Sequence, residues 1–306
     1  MSKNKLILNA VLAGMLSVMA VSTASAATDT YTQTKYPIIL VHGFASSDQV
    51  LGFSTFYNIP DELKKGGAKV YAAKLSGFNS DEVRGEELIK YLDNLRATSG
   101  YEKFNLIGNS QGGLTTRYVA AVRPDLVASV TTGHTPHQGA APADLIKAVL
   151  PEGSPLRPIV AGVINTFASL MGGKADALAA LGQLSSSGAA EFTERYPQGK
   201  PATACGEGEE VVDAVRYYSF GGVGVATNLL DPTDLSAQAA SLTYLGKPND
   251  GIVGQCSSHW GTVLRDDYFW NHFDSVNQTF GLRSMFSSNP VTVYRAHANR
   301  LKNLGL

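Results

Sequence analysis

Cysteine is scarce: Cys205 and Cys256 are the only two in 306 residues, so a disulfide framework cannot stand in for a hydrophobic core, and one bridge at most can reinforce it. Charge of one sign is lacking too, with 25 basic against 26 acidic residues and a net charge of −1. No long Lys/Arg block is present, which argues against the concentrated basic surface of a nucleic-acid binder. Repeats and low-complexity tails are absent. After an apolar N-terminal stretch, the polar run Thr28 to Lys35 supplies no stop-transfer pattern, so a membrane span is not expected. What remains is a chain with 44% hydrophobic side chains, enough for one substantial core; one domain with an inserted segment is a simpler expectation than two domains.

The N-terminus reads Met1-Ser2-Lys3-Asn4-Lys5, then an apolar stretch from Leu6 to about Ala20, then Ala24-Ser25-Ala26 in the small-x-small form of a signal-peptidase site. Residues 1–26 are therefore read as an export signal and 27–306 as the mature domain, reached outside the cell through the periplasm. Lys3 and Lys5 are the only charged residues removed with the signal, taking the net charge from −1 to −3. In an oxidising compartment the two cysteines are expected to form one disulfide; the alternative is two separate buried thiols.

Along the chain, Lys35 to Val41 reads as a buried strand ending in the His42-Gly43-Phe44 turn. Lys69 to Ala73 is a second strand, Glu82 to Leu95 an amphipathic helix, Phe104 to Ile107 a third strand and Val127 to Thr132 a fourth. This alternation predicts an α/β fold, a mostly parallel central sheet with helices on both faces. Tyr217 to Phe220 and Leu242 to Leu245 look like later strands, and Ala296 to Leu301 like a terminal helix. Residues 141–190 differ in character. Val160, Val163, Ile164, Phe167, Leu170 and Met171 would make one greasy helical face, read either as core packing or as a mobile cap over a site.

The strongest motif is Gly108-Asn109-Ser110-Gln111-Gly112 directly behind a strand and ahead of a helical run. G-x-S-x-G in that setting forms a strained elbow that projects the serine oxygen from the sheet edge. Ser110 is the expected nucleophile. A neutral serine needs a base, and the base needs an acid to hold its tautomer, in chain order Ser, acid, His. Asp250, in the polar turn Pro248-Asn249-Asp250-Gly251, is the preferred acid over Asp231 and Asp234; Asp266 and Asp267 read as surface residues following a helical segment. The residues favour His272 over His259 without settling the choice. Oxyanion donors are expected from the backbone N–H groups of Gln111 and Phe44, and His42 is read as a local loop hydrogen-bonder.

These segments resemble the foldase-dependent secreted triacylglycerol lipases of the Pseudomonas and Burkholderia type. The resemblance spans nearly the whole mature chain: Tyr31 to Pro37, Val83-Arg84-Gly85-Glu86, the elbow, Arg117 to Leu126, Tyr196-Pro197-Gln198-Gly199, Ala204 to Gly208, Asn249-Asp250-Gly251, Cys256-Ser257-Ser258-His259, Asn271-His272 and His297 to Asn303. It implies the α/β-hydrolase fold, a Ser110–Asp250–His272 triad, Phe44 and Gln111 as oxyanion donors, and a Cys205–Cys256 disulfide. It also implies one structural calcium held by the carboxylates of Asp231 and Asp274 and the carbonyls of Gln278 and Leu282, oxygen ligands suited to a hard cation. A lid at about 154–175, a dedicated foldase, type II export and a monomer are further implications. The chain departs from the family pattern at Asn109 and Gln111, where His is common. It departs again in Gly133-His134-Thr135-Pro136-His137, whose extra imidazole is read as either a pocket wall or a surface group. The expected activity is hydrolysis of acylglycerol esters at an oil–water interface. A short-chain carboxylesterase and a noncatalytic lipid-binding protein are the alternatives.

Overall fold

The computed structural model describes residues 29–50, 53–149, 153 and 176–306; the export signal read at 1–26 and the lid read at about 154–175 lie outside them. Strand β1 (Ile38–Val41) is buried along its whole length, as a strand covered on both faces must be. A separate antiparallel pair follows, β2 (Gln49–Val50) with β3 (Phe53–Ser54). The main sheet is completed by β4 (Val70–Ala73), β5 (Phe104–Asn109), β6 (Val127–Gly133), β7 (Val211–Val212), β8 (Val215–Gly222) and β9 (Thr262–Tyr268). Its order is β4-β1-β5-β6-β8-β7, with β9 paired to the later part of β8. Every pairing is parallel except β7 with β8.

Because side chains alternate across a strand, β1 feeds two cores. Ile39 and Val41 pack with Leu88 and Leu92 of α2 (Asp81–Ser99) and Leu114 and Val119 of α3 (Gln111–Val122). Ile38 and Leu40 pack on the other face with Ile59 and Leu63 of α1 (Ile59–Lys65) and Tyr294 and Ala298 of α8 (Pro290–Asn303). Helix α2 begins where Ser80 Oγ accepts from the Val83 N–H and stops at Gly100, whose φ of 74° suits glycine. Between the later strands lie α4 (Ala141–Val149), α5 (Ala177–Leu184), α6 (Ser186–Arg195) and α7 (Thr233–Ser241). Among the described residues no helix is long and apolar enough to cross a membrane.

Two expectations fail. Leu242 to Leu245 is not a strand: α7 runs on into a tight turn over Leu242–Tyr244. Leu242 and Leu245 are 75% and 90% exposed, while Tyr244 turns inward and donates to the Ile252 carbonyl at 2.7 Å. An apolar run of four without a neighbouring strand to pair with carries no strand information. Asp266 and Asp267, expected to follow a helix, lie within β9.

Neighbours of β1 in the sheet are β4 and β5, so the chain winds outward to one side and then returns to the other. Open α/β sheets bind ligands beyond the carboxyl ends of the strands at such a reversal. At that point here the His42-Gly43-Phe44 turn leaves β1 and Ser110 leaves β5.

Candidate active site

Ser110 joins β5 to α3 with φ 55° and ψ −130°, a conformation that a residue with a side chain rarely adopts and that needs support from its surroundings. Its N–H donates to the Gly133 carbonyl at 2.8 Å. The flanking glycines are sterically required: a Cβ on Gly108 would stand 2.3 Å from the Gly112 carbonyl oxygen, and one on Gly112 would stand 2.2 Å from that of Val41. The motif is thus the local chemistry of a turn in which two backbone segments touch.

His272 Nε2 lies 2.9 Å from Ser110 Oγ, and its Nδ1 lies 2.9 Å from Asp250 Oδ2. Since the carboxylate can only accept, Nδ1 carries the proton and Nε2 is free to accept from the serine hydroxyl. Asp250 is buried, and its other oxygen accepts the N–H groups of Ile252 at 2.9 Å and Val253 at 2.7 Å. Burial alone would raise the Asp250 pKa, but the His272 imidazole and then the His134 hydrogen bond outweigh it and hold the carboxyl well below the usual range.

The histidine left open by sequence is engaged elsewhere: His259 meets the Gly206 carbonyl at 3.1 Å and Asp266 at 2.9 Å. It stands beside the Cys205–Cys256 disulfide, which the structure contains. Asp234, a rival acid, accepts the N–H groups of Thr227 and Asn228, each at 2.7 Å. His42 is a loop hydrogen-bonder. Its Nε2 accepts from the Leu75 N–H at 3.2 Å, its Nδ1 meets the Gly43 carbonyl at 3.0 Å, and burial drives its pKa down to about 3.

The turn carrying Phe44 comes close to Ser110, since a Cβ on Gly43 would lie 3.2 Å from Ser110 Oγ. Buried Arg84 pins this turn by donating to the His42 carbonyl at 2.5 Å. Gln111 opens α3, so its N–H has no acceptor within the helix; its side chain donates instead to the Asn79 carbonyl at 2.8 Å.

Asn109 and His134 acquire partners that sequence did not foresee. Ser275 Oγ lies 3.0 Å from Asn109 Oδ1 and 2.7 Å from the His272 carbonyl, linking the elbow to the histidine loop. His134 is not a surface group: it is fully buried, with Nδ1 2.6 Å from Asp250 Oδ2, the oxygen that also meets His272. The extra imidazole was visible in sequence, but its partner lies 116 residues away.

The ligand atoms of His134, Asp250 and His272 lie within 4.8 Å of one another, close enough in principle to share a cation. Nitrogen-to-oxygen separations of 2.6 and 2.9 Å are those of direct hydrogen bonds, shorter than two ligands placed ~2 Å from a tetrahedral metal would give. A better fit to a hard cation lies next to the His272 loop. Among the described residues Asp231 Oδ2 and Asp274 Oδ1 are buried without a hydrogen-bond partner. Burial, with Asp231 and Asp234 nearby, pushes the Asp274 carboxyl up to about 7. A cavity of about 340 Å³ between β9 and α8 borders none of Ser110, Asp250 or His272.

Residues 36–219 match a family model described as alpha/beta hydrolase fold. The chain is 48% identical to a triacylglycerol lipase of Vibrio cholerae over 283 residues, covering 90% of each chain. It is 40% identical to a triacylglycerol lipase of Burkholderia plantarii, covering 94% of this chain and 92% of that one. A triacylglycerol lipase of Pseudomonas fragi is 38% identical, covering 91% of this chain and all of the relative. Among solved structures, Staphylococcus hyicus lipase shares the fold with a TM-score of 0.62 at 18% identity, covering 89% of this chain and 98% of that one.

Proposed function

Because the chain belongs to the triacylglycerol lipases of the α/β-hydrolase family, we propose that it cleaves acylglycerol esters through Ser110, with His272 as the general base and Asp250 as the group that orients it. The observation that carries this reading is the unbroken hydrogen-bond chain from Ser110 Oγ through both nitrogens of His272 to Asp250 Oδ2. Ser110 Oγ attacks the ester carbonyl as His272 Nε2 takes its proton, and Asp250 stabilises the imidazolium. The backbone N–H groups of Phe44 and Gln111 donate to the oxyanion; each such donor is worth roughly 3 kcal/mol. His272 then protonates the departing alcohol, and water deprotonated by the same nitrogen releases the fatty acid from Ser110.

Asp231 and Asp274, with the carbonyls of Gln278 and Leu282, would hold one calcium ion. The two unpartnered buried carboxylate oxygens support this reading. When bound, the ion neutralises those charges and steadies the loop that carries His272; it takes no part in bond cleavage. Residues 27–306 would act as one secreted domain, a monomer helped to fold by a foldase and exported by the type II route after loss of residues 1–26. The disulfide fits an oxidising destination.

The test compares mature protein on emulsified long-chain triglyceride and on a soluble short-chain ester, with Ser110→Ala as control. The expected result is turnover of the emulsion that Ser110→Ala abolishes while remaining folded. Strong preference for the soluble ester would make the protein a carboxylesterase, and undiminished turnover by Ser110→Ala would remove the mechanism.

A further inference from the structure

We propose that His134 is a positioning residue for ester cleavage, its Nδ1–H fixing the carboxylate oxygen of Asp250 that orients His272. This rests on the triad reading above.

Four observations converge on the ring. Its Nδ1 stands 2.6 Å from Asp250 Oδ2, nearer than the 2.9 Å of His272 Nδ1 to that oxygen. The residue holds φ at 50°, in the left-handed region where glycine would be less strained, so the fold keeps an imidazole where the backbone favours having no side chain. The space for the ring is specifically left open: a Cβ on Gly222 would stand 2.8 Å from His134 Cε1, while Trp270 stacks on the ring at 6.1 Å and 26° and Phe220 meets it edge-on at 6.0 Å. Finally, Nε2 is buried with no partner among the described residues. A ring with one proton places it where an acceptor waits, so Nδ1 donates to Asp250 and Nε2 is left bare.

The consequence is a carboxylate clamped at both ends. Ile252 and Val253 N–H groups hold Oδ1; His134 meets Oδ2 alongside His272. With His134 absent, Oδ2 would keep one donor, His272 itself, and the carboxylate could follow that ring as it moves. A second, stationary donor fixes the point against which the His272 tautomer and ring plane are set, the support that catalytic constellations need from their surroundings.

The experiment measures kcat and KM on a soluble short-chain ester for the whole mature protein and for His134→Phe and His134→Asn, each alone and combined with Asp250→Asn. Phenylalanine keeps a ring and loses the donor. Asparagine puts an amide nitrogen the same number of bonds from Cα as Nδ1 and tolerates positive φ. Expected are a kcat lowered about tenfold in His134→Phe, the order expected from one charge-assisted hydrogen bond, with KM unchanged, and near-parental kcat in His134→Asn. In the Asp250→Asn background, His134→Phe costs nothing further, because the group it acts through is already disabled. Equal losses in the Phe and Asn variants, an undiminished kcat in His134→Phe, or the same loss with and without Asp250→Asn would each overturn the inference. Melting curves establish that each variant is folded, and His134→Leu replaces His134→Phe if the larger ring does not fit. Parental turnover by Asp250→Asn would instead overturn the triad reading, so the two failures are distinguishable.

Discussion

The backbone N–H of His272 donates to the carbonyl oxygen of Asp250 at 2.9 Å, and the side chains of the same two residues meet at 2.9 Å. Asp250 and His272 are joined through main chain and side chain together. A loop that shifts the imidazole must therefore break two hydrogen bonds, which keeps Nε2 aimed at Ser110 without substrate being present.

Asp250→Asn preserves the shape of that pair but introduces an amide donor where the carboxylate accepts. The imidazole can then be held in the wrong tautomer, with its proton facing Ser110. We expect kcat to fall on the order of 10⁴-fold while KM for a soluble ester and the melting temperature change little. Single-turnover acylation measured by stopped flow locates the loss; acylation at the parental rate would exclude this role for Asp250.

Ser275→Ala removes the hydroxyl that ties the His272 carbonyl to Asn109. The two buried acceptors share that one hydroxyl proton, so its loss leaves at least one of them unsatisfied and stability should fall by about 1–3 kcal/mol, with a severalfold decrease in kcat from the loosened His272 loop. Urea unfolding gives the first quantity and initial rates the second. A variant as stable and active as its parent would mean that the contact does not brace the loop.

How much of this was legible varies with how local the cause is. The elbow at Ser110 could be read because its steric demands fall on Gly108 and Gly112, neighbours in sequence. The alternation of β1, β5 and β6 with α2 and α3 was equally local. Asp250 was picked out for a turn after a strand, but the element before it is helical and then a tight turn, so turn chemistry rather than strand position carried that choice. The residues favoured His272 over His259 but did not settle the choice between them. What distinguishes them is their partners: Asp266, seven residues on, and the Gly206 carbonyl, 53 residues back, capture His259. His134 was illegible for the same reason: nothing near it in sequence shows that its loop meets the one bearing Asp250.

The disulfide should govern stability and leave chemistry alone. Cys205 and Cys256 are 51 residues apart, for which chain entropy sets a contribution of about 4 kcal/mol before native-state adjustments. Gln138 Nε2 also donates to the carbonyls of Ala204 at 2.6 Å and Cys256 at 2.9 Å, so the two segments stay bridged when the sulfurs part. Replacing both cysteines by serine should lower the melting temperature by several degrees and leave kcat at 25 °C unchanged. A large loss of kcat in folded protein would show that the bridge shapes the site itself.

Calcium removal should act through Asp274, with a sign that depends on pH. Without a cation, burial and the neighbouring Asp231 and Asp234 raise its pKa from 3.8 to about 7. Between those values the unfolded chain has lost this proton while the folded chain keeps it, so the folded state binds more protons and its stability falls as pH rises. The contribution is fully present below the lower value and gone above the upper one. A calcium ion bound there would hold the carboxylate ionised and remove that penalty. Chelation should therefore lower the melting temperature most at pH 8 and least at pH 5. Asp274→Asn should flatten the difference between the two pH values in chelator, because the group that titrates is gone. Thermal melts in calcium and in EDTA at both pH values measure this directly; equal effects of EDTA at pH 5 and pH 8 would place the cation away from Asp274.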